Sequence, residues 1–204
     1  MSSAVEICNN ALIQLGAEDT LLSLDDDTTP GRMCKAMYDV TRREVLTNFA
    51  WNSALKQAQL AALVETPTFE FTYAFQLPAD CFRVLKIGTS DDAVNTYLGS
   101  DPYAYHRWQP VQWKRFGRKI YSNTSPLYIT YIYDLEDVQE MDPALRDAIA
   151  ARLAAKIAYK ITGSRAKEET MKAWYREVID EAMATNSLEG STDAISAVQT
   201  IVVR

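Results

Sequence analysis

The sequence predicts an α+β protein: a mainly helical bundle built from both chain ends, an inserted small antiparallel β-sheet and an extended C-terminal tail. Apolar residues recur every three or four positions near both ends, and residues that favour helix starts precede these stretches. Strict alternation of apolar and other residues occurs only in the middle of the chain. Helices on both sides of a run of strands are typical of an α+β layout.

The N-terminal region predicts two helices. Ser3 and Glu6 form a capping-box pattern before the first apolar stripe, and Gly16 is placed to end that helix. The Thr-Pro pair at 29–30 predicts the start of the second helix, with the threonine as its N-cap. Apolar residues then keep helical spacing, and we expect this helix to continue towards Ala62.

Strands are predicted in the middle of the chain. The stretch from Phe71 to Leu77 alternates with a period of two, as a half-buried strand does. The stretch "CFRVLKIG" is a second candidate, "VQWKRFGRKIYSN" predicts two short strands around a turn near Gly117, and "PLYITYIYDL" is the clearest strand. Together they predict a small antiparallel sheet.

Two further helices are predicted after the strands. Asp142 is placed as an N-cap, Pro143 opens the first turn and Gly163 is placed to stop the helix. The many alanines between them suggest close approach of neighbouring helices. The stretch "SRAKEETMKAWYREVIDEAMATNS" is amphipathic and predicts the last helix.

The predicted organisation has four parts: residues 1–66 form the N-terminal helices, 67–135 the β insert, 136–188 the C-terminal helices and 189–204 the extended tail. The tail ends in "QTIVVR", an apolar, strand-like stretch after a polar run. Because unpaired strand edges invite association, we expect this stretch to pair with another molecule.

Composition predicts an ordinary folded protein of a reducing compartment. Hydrophobic residues make up 48% and charged residues 24% of 204 residues, as is typical of globular proteins. Neither a membrane-spanning stretch nor a signal peptide is visible, so we expect a cytoplasmic protein without a membrane partner. The three widely spaced cysteines (Cys8, Cys34 and Cys81) are interpreted as small buried hydrophobes.

No pattern in the sequence predicts catalysis, a metal or a cofactor. The sequence has one histidine, His106, and no serine lies in a nucleophile motif with which it could act as a base. A glycine-rich phosphate loop is also absent from the sequence. Paired carboxylates remain a candidate for glycoside hydrolysis, although such residues more often partner helix dipoles or lie in solvated loops. These carboxylates are Glu65, Glu70, Glu136, Asp137, Glu140 and Asp142.

One segment interleaves cations with aromatic residues. Its members are Arg107, Trp108, Trp113, Lys114, Arg115, Phe116, Arg118, Lys119 and Tyr121. Such a segment can stack bases and hold phosphates, or its aromatics can point inward while its cations face water or an acidic neighbouring subunit. The net charge of −6 favours protein over nucleic acid, but the alternation is too irregular to assign either face.

The order of several motifs resembles a known family. The opening "ICNNALIQLGAE", the "FQLPADCFRVLKI" strand and the "DPALRDAIAARLAAKIAYKITGS" helix are similar to those of the podovirus head-to-tail adaptors, known as tail tubular protein A. The resemblance covers nearly the whole chain up to about Ser191 and implies a structural protein of a tailed-phage virion, placed in the tail neck after assembly in the host cytoplasm.

The resemblance also implies partners. Such adaptors form a dodecameric ring beneath the portal protein, join it to the tail nozzle protein and line the channel through which genomic DNA passes without sequence-specific contact. It provides no catalytic residues, so we expect no enzyme and no cofactor. One related group is associated with peptidoglycan hydrolysis, so a virion-associated hydrolase is the alternative.

Two sets of contact residues follow from this interpretation. The expected subunit or nozzle contacts are Arg107, Lys114, Arg115, Arg118 and Lys119, and the expected portal-docking residues are Thr200, Ile201, Val202, Val203 and Arg204. Charge reversal at Arg115 and Arg118 is expected to weaken ring assembly more than folding.

Overall fold

The computed structural model describes residues 3–17, 20–88 and 111–188, and over these residues the protein is α+β, as predicted. The helices are α1 (Ala4–Leu15), α2 (Thr29–Asn48), α3 (Pro143–Thr162) and α4 (Arg165–Leu188). The strands are β1 (Leu55–Leu60), β2 (Tyr73–Gln76), β3 (Cys81–Gly88), β4 (Trp113–Phe116), β5 (Lys119–Ser122) and β6 (Leu127–Tyr133). The predicted tail at 189–204 lies outside the described residues.

The chain divides into two compact units. The helical unit comprises Met1–Ser53 and Leu135–Arg204, and the β unit comprises Ala54–Asp134. Construction of the helical part from both chain ends is therefore confirmed. The predicted end of the β insert at residue 135 is within one residue of the observed end, whereas its predicted start at residue 67 is wrong.

The error at the start of the β unit comes from strand β1. Helix α2 ends at Asn48, and Leu55–Leu60 pairs antiparallel with β6, so the predicted continuation of the helix towards Ala62 is wrong. The residues of β1, "LKQAQL", are good helix formers. Pairing with a distant strand overrides this local preference, as sheet context commonly does.

Capping residues set most helix boundaries where the sequence predicts them. The Ser3 hydroxyl accepts a hydrogen bond from the Glu6 amide at 3.3 Å, and the Asp142 carboxylate accepts one from the Leu145 amide at 2.7 Å. Gly16 ends α1 with φ +84°, a left-handed conformation that only glycine adopts without steric cost.

The N-cap of α2 is one residue earlier than predicted. The Thr28 hydroxyl accepts a hydrogen bond from the Gly31 amide at 3.1 Å, which makes Thr29 the first helical residue. Packing also requires glycine at position 31, because a Cβ there would lie 2.4 Å from the Asp26 carbonyl oxygen. The loop before the helix therefore packs closely against the first turn.

Helix α3 is the centre of the helical unit and packs against α1, α2 and α4. Its buried side chains include Leu145, Ile149, Leu153 and Ile157, which follow the predicted four-residue spacing. Six alanines of the same helix are also buried: Ala148, Ala150, Ala151, Ala154, Ala155 and Ala158. Because alanine is small, the surrounding helices approach α3 on several sides.

Two charged residues of α2 tie the helical unit together. Arg42 is only 2% exposed, and its guanidinium donates to the Leu135 carbonyl at 2.7 Å, which fixes the chain where it returns from the β unit. Glu44 accepts hydrogen bonds from Arg152 Nε at 2.9 Å and pairs with Lys156, both on α3. Burial by itself would raise the pKa of Glu44, but the hydrogen bonds from Lys156 and Arg152 outweigh it and hold the pKa below its ordinary value.

The β unit contains two antiparallel sheets where the sequence predicted one. The first has the strand order β1-β6-β3 and the second the order β2-β5-β4. Phe75 and Ile120, from the second sheet, and Leu127 and Ile132, from the first, have no exposed surface and belong to its core. Loop residues join the second sheet at Ala62, which forms an isolated bridge with Phe75.

Candidate interaction surfaces

The six carboxylates that the sequence offered as candidates for catalysis mostly have structural partners. Glu65 pairs with Lys119 at 2.5 Å, and Glu136 lies 3.8 Å from Arg42. Asp137 accepts the Gln139 amide at 2.8 Å, and Asp142 caps α3 while accepting the Ser53 hydroxyl at 2.7 Å. These contacts agree with the interpretation of the carboxylates as capping and loop residues.

Among the described residues, no group of three or more His, Cys, Asp and Glu side chains is arranged to hold a metal ion. His106 lies outside the described residues. In the same residues, no helix is both long enough and apolar enough to span a membrane.

The cysteines are buried hydrophobes, as predicted. Cys8 and Cys34 have no exposed surface and Cys81 has 3%. The adjacent Cys34 sulfur, together with burial, raises the pKa of the Cys8 thiol. Burial also raises the pKa of Cys81, although the nearby Arg115 and Arg118 oppose it. These shifts keep the Cys8 and Cys81 thiols protonated and chemically quiet.

The described part of the basic segment forms a hairpin, which we call the basic hairpin (residues 113–122). Strands β4 and β5 pair antiparallel, and Gly117 starts the connecting turn with φ +58°. A positive φ at the first turn residue suits the right-handed twist of a two-residue hairpin, and glycine takes it without strain. Arg107 and Trp108 lie outside the described residues.

Strand register assigns the two faces of the hairpin that the sequence left open. Arg115 lies opposite Ile120, which in turn lies opposite Phe75, so Arg115 shares the face of two buried residues. Lys114 and Phe116 lie opposite Tyr121 and Lys119 on the other face. Strand β4 is the last strand in its sheet among the described residues, and all four of its residues are exposed.

The two arginines of the hairpin bind backbone carbonyls of their own unit. Arg115 donates to Gly117 at 2.9 Å and to Phe82 at 3.1 Å. Arg118 donates to the carbonyls of Pro78 and Ala79 at 2.5 and 3.0 Å. The bonds to Pro78, Ala79 and Phe82 fasten the hairpin to the start of β3, so charge reversal at both arginines would also remove contacts within the β unit. That it weakens ring assembly more than folding stays a prediction.

The carbonyl partners orient the arginines without neutralising them, whereas the lysines have carboxylate neighbours. Lys119 pairs closely with Glu65, and this hydrogen bond raises the pKa of Lys119. Lys114 lies 4.0 Å from Glu70, at the limit of an ion pair, and 5.2 Å from the centre of the Phe116 ring. Phe116 in turn packs against Tyr121, with ring centres 5.0 Å apart. The outward face is therefore a small aromatic cluster with cations at its edge.

A second surface lies on the helical unit, where α1, α3 and α4 border a groove that we call the acidic groove. It consists of two adjoining clefts of about 550 and about 480 Å³, which share Asn10 and Asp147. The Asn10 side-chain amide donates to the Asp147 carboxylate at 3.3 Å. The lining residues of the two clefts contain three carboxylates (Glu6, Asp147 and Glu181) and one guanidinium (Arg146).

The electrostatics of the groove centre on Asp147. Burial raises the pKa of Asp147 above its ordinary value, the neighbouring Arg146 opposes this, and Glu181 adds to it. The smaller cleft has Trp174, Val178 and Ala182 among its apolar lining. Burial and a nearby like charge both destabilise the ionised form of a carboxylate, so an approaching cation stabilises that form.

Sequence reasoning missed the acidic groove. Its lining comes from helices near both ends of the chain, and no local spacing brings Asn10, Asp147 and Glu181 together. The hairpin was found because its cations and aromatics are contiguous in sequence. The described residues therefore carry two surfaces of unlike chemistry.

No family model matches this chain, and a search of curated proteins finds no match either. The resemblance to the head-to-tail adaptors therefore remains a prediction from the sequence motifs. The expected docking residues Thr200, Ile201, Val202, Val203 and Arg204 lie outside the described residues.

Proposed function

We propose that this protein is a structural head-to-tail connector subunit of a tailed-phage virion. Copies of the chain form a ring beneath the portal protein, join it to the tail nozzle protein and surround the channel for genomic DNA. The proposal rests on the resemblance of the sequence motifs and is supported by the α+β fold with its helical unit built from both chain ends.

One observation of the described residues carries the proposal furthest: the chain has surfaces of opposite character on separate units. The basic hairpin presents cations and exposed aromatics, whereas the acidic groove is lined by carboxylates and apolar side chains. A ring built by rotation requires heterologous contacts, in which one patch meets a different patch of the next subunit. A net charge of −6 also suits a channel wall from which DNA must slide freely.

Electron microscopy of the purified chain mixed with the portal protein of its virion tests the proposal. We expect closed rings, stacked coaxially on the portal. Portal particles without an added ring, under conditions where the chain is folded by circular dichroism, would contradict it.

The tail gives a sharper version of the same experiment. Deletion of residues 191–204 removes none of the described structure, so the shortened chain is expected to fold normally. We expect it to lose portal binding, because the apolar stretch 200–203 is proposed to add to a portal surface. If the shortened chain still binds the portal, the tail is not needed for docking, and the proposed connector role is unaffected.

One observation favours a second candidate, a virion-associated peptidoglycan hydrolase. Asp147 has a raised pKa and an acidic neighbour, Glu181, in a cleft, which is a pattern found in glycosidase sites. A zymogram of the purified chain on peptidoglycan tests it. Clearing that is lost in both Asp147→Asn and Glu181→Gln variants would favour the hydrolase, and absence of clearing by the folded wild type would remove it.

A further inference from the structure

We infer that the acidic groove of one copy of this chain receives the basic hairpin of a second copy. This inference rests on the proposed function, since it names the faces that meet in the ring. It concerns surfaces of different units on different copies, so it requires no particular arrangement of the two units within one chain.

The groove has unbalanced negative charge. Its lining has three carboxylates against one guanidinium, that of Arg146, and Asp147 has one amide donor, from Asn10. The second carboxylate, Glu181, lies on the exposed side of α4. Two carboxylates held near one another repel, so a cation placed between them is stabilised by both.

The smaller cleft offers apolar side chains to a partner as well as carboxylates. Trp174, Val178 and Ala182 line it together with Asp147 and Glu181. Protein interfaces typically combine an apolar centre, often with an aromatic anchor, and a polar rim. A partner for this cleft should therefore carry an aromatic side chain next to a cation.

The basic hairpin has this combination on strand β4. Phe116 is 44% exposed, and Lys114 lies beside it on the same outward face. Arg115 and Arg118 add positive charge that no carboxylate neutralises in the described contacts, because their partners are carbonyls. Strand β4 is the outer strand of its three-stranded sheet and has no neighbouring strand on its other side among the described residues, so its exposed side chains can contact another chain.

A second copy is favoured over nucleic acid as the occupant of the groove because the groove repels phosphate. It is favoured over an unrelated protein because the complementary surface already exists on the chain, which is otherwise acidic with a net charge of −6. Groove and hairpin are different patches, so their contact is heterologous and propagates from copy to copy, as a ring requires.

Disulfide trapping between single-cysteine additions tests the contact directly. Full-length Lys114→Cys and Glu181→Cys variants are mixed in equal amounts and oxidised with copper phenanthroline, which couples thiols that meet. The matched control pair is Lys114→Cys with Asp180→Cys, because Asp180 is the exposed neighbour of Glu181 on α4 but does not line the groove. The native cysteines are buried and provide the same low background in both pairs.

We expect the Lys114–Glu181 pair to yield several-fold more crosslinked heterodimer than the control pair, with the disulfide assigned by peptide mass spectrometry. Equal yields from the two pairs would overturn the inference. The same pair is then tested with residues 191–204 deleted from both partners. If crosslinks form only between the shortened chains, the tail occupies the groove in the full-length protein, and the inference is overturned.

A charge exchange provides an independent measurement on the intact protein. We expect Glu181→Lys and Lys114→Glu each to lower the fraction of chains in rings on the portal, and the double variant to recover it. If rings form equally in all variants, the contact is wrong while the connector role stands. If trapping succeeds but no portal ring forms with wild type, the contact stands and the connector role is wrong.

Discussion

The two units use their charged side chains in opposite ways. In the helical unit, the buried Arg42 guanidinium donates to a backbone carbonyl, and Glu44 of α2 forms ion pairs with two cations of α3. These charges join segments of the unit to one another. In the β unit, Arg115 and Arg118 lie at the surface with carbonyl partners, beside the half-exposed rings of Trp113 and Phe116. The comparison shows that these charges of the helical unit are used in internal contacts, while the β unit leaves cations and aromatic rings exposed at the basic hairpin.

The largest effect is expected from Arg42→Ala. The substitution leaves the Leu135 carbonyl without its 2.7 Å donor inside the helical unit and empties the space of a buried side chain. Loss of a hydrogen bond to a charged group, with its packing, is expected to lower the free energy of unfolding by roughly 3 kcal/mol. Denaturant titration followed by circular dichroism measures the change.

Arg42→Lys is the control for this prediction. Lysine keeps the positive charge and the apolar stem but lacks the planar fork, so we expect an intermediate loss. If Arg42→Ala were as stable as wild type, the buried guanidinium would not join the helical unit and the contrast between the units would fail.

A smaller loss, roughly 2 kcal/mol, is expected from Glu44→Gln, because Arg152 and Lys156 lose a charged acceptor. The effect should depend on pH. Since the folded-state pKa of Glu44 is lowered from 4.5, its contribution is present above pH 4.5 and is lost as the pH falls through the folded-state value. Wild type and variant should therefore converge in stability at acid pH, and a constant difference down to the acid limit would contradict the role assigned to the carboxylate.

In the β unit, Arg118→Ala is expected to cost about 1 kcal/mol, because exposed hydrogen bonds contribute less than buried ones. Its effect should be local. We expect faster amide hydrogen exchange in the hairpin and in the segment that starts at Pro78, with unchanged exchange in α3. Faster exchange in α3 as well would show that the arginine has a wider role than fastening the hairpin.

The smallest effect, of opposite sign, is expected from Asp147→Asn. The raised pKa of Asp147 means that the folded protein binds a proton there more tightly than the unfolded chain does, so its charge costs stability above that pKa. We expect a gain of about 0.5 kcal/mol at neutral pH, because the side chain is partly solvated. Thermal unfolding at pH 7 and below pH 3.8 measures it, and a gain that persists unchanged at acid pH would contradict the explanation.

Sequence patterns predicted the helices well because caps act locally. Ser3, Gly16, Asp142 and Gly163 end or begin helices where expected, since each acts on backbone groups within a few residues. The same reasoning failed at β1, whose local preference is helical. No rule of periodicity could assign it, because its strand state depends on β6, which lies far along the chain.

The two candidate surfaces also differ in how far they could be predicted from the sequence. The sequence located the basic hairpin, and register was needed to place Lys114 and Phe116 outward and to give Arg115 and Arg118 their carbonyl partners. The acidic groove was not predicted at all, since α1, α3 and α4 each contribute only a few of its residues.

By itself, the sequence determined the class of the fold, four helices with strands between them, and the position of the cations. Only the tertiary structure decided that β1 is a strand, that there are two sheets, and that Asn10, Asp147 and Glu181 share one groove. The physical reason is one of range. Capping and periodicity act over a few residues, whereas strand pairing and helix packing depend on segments that meet only after the chain has folded.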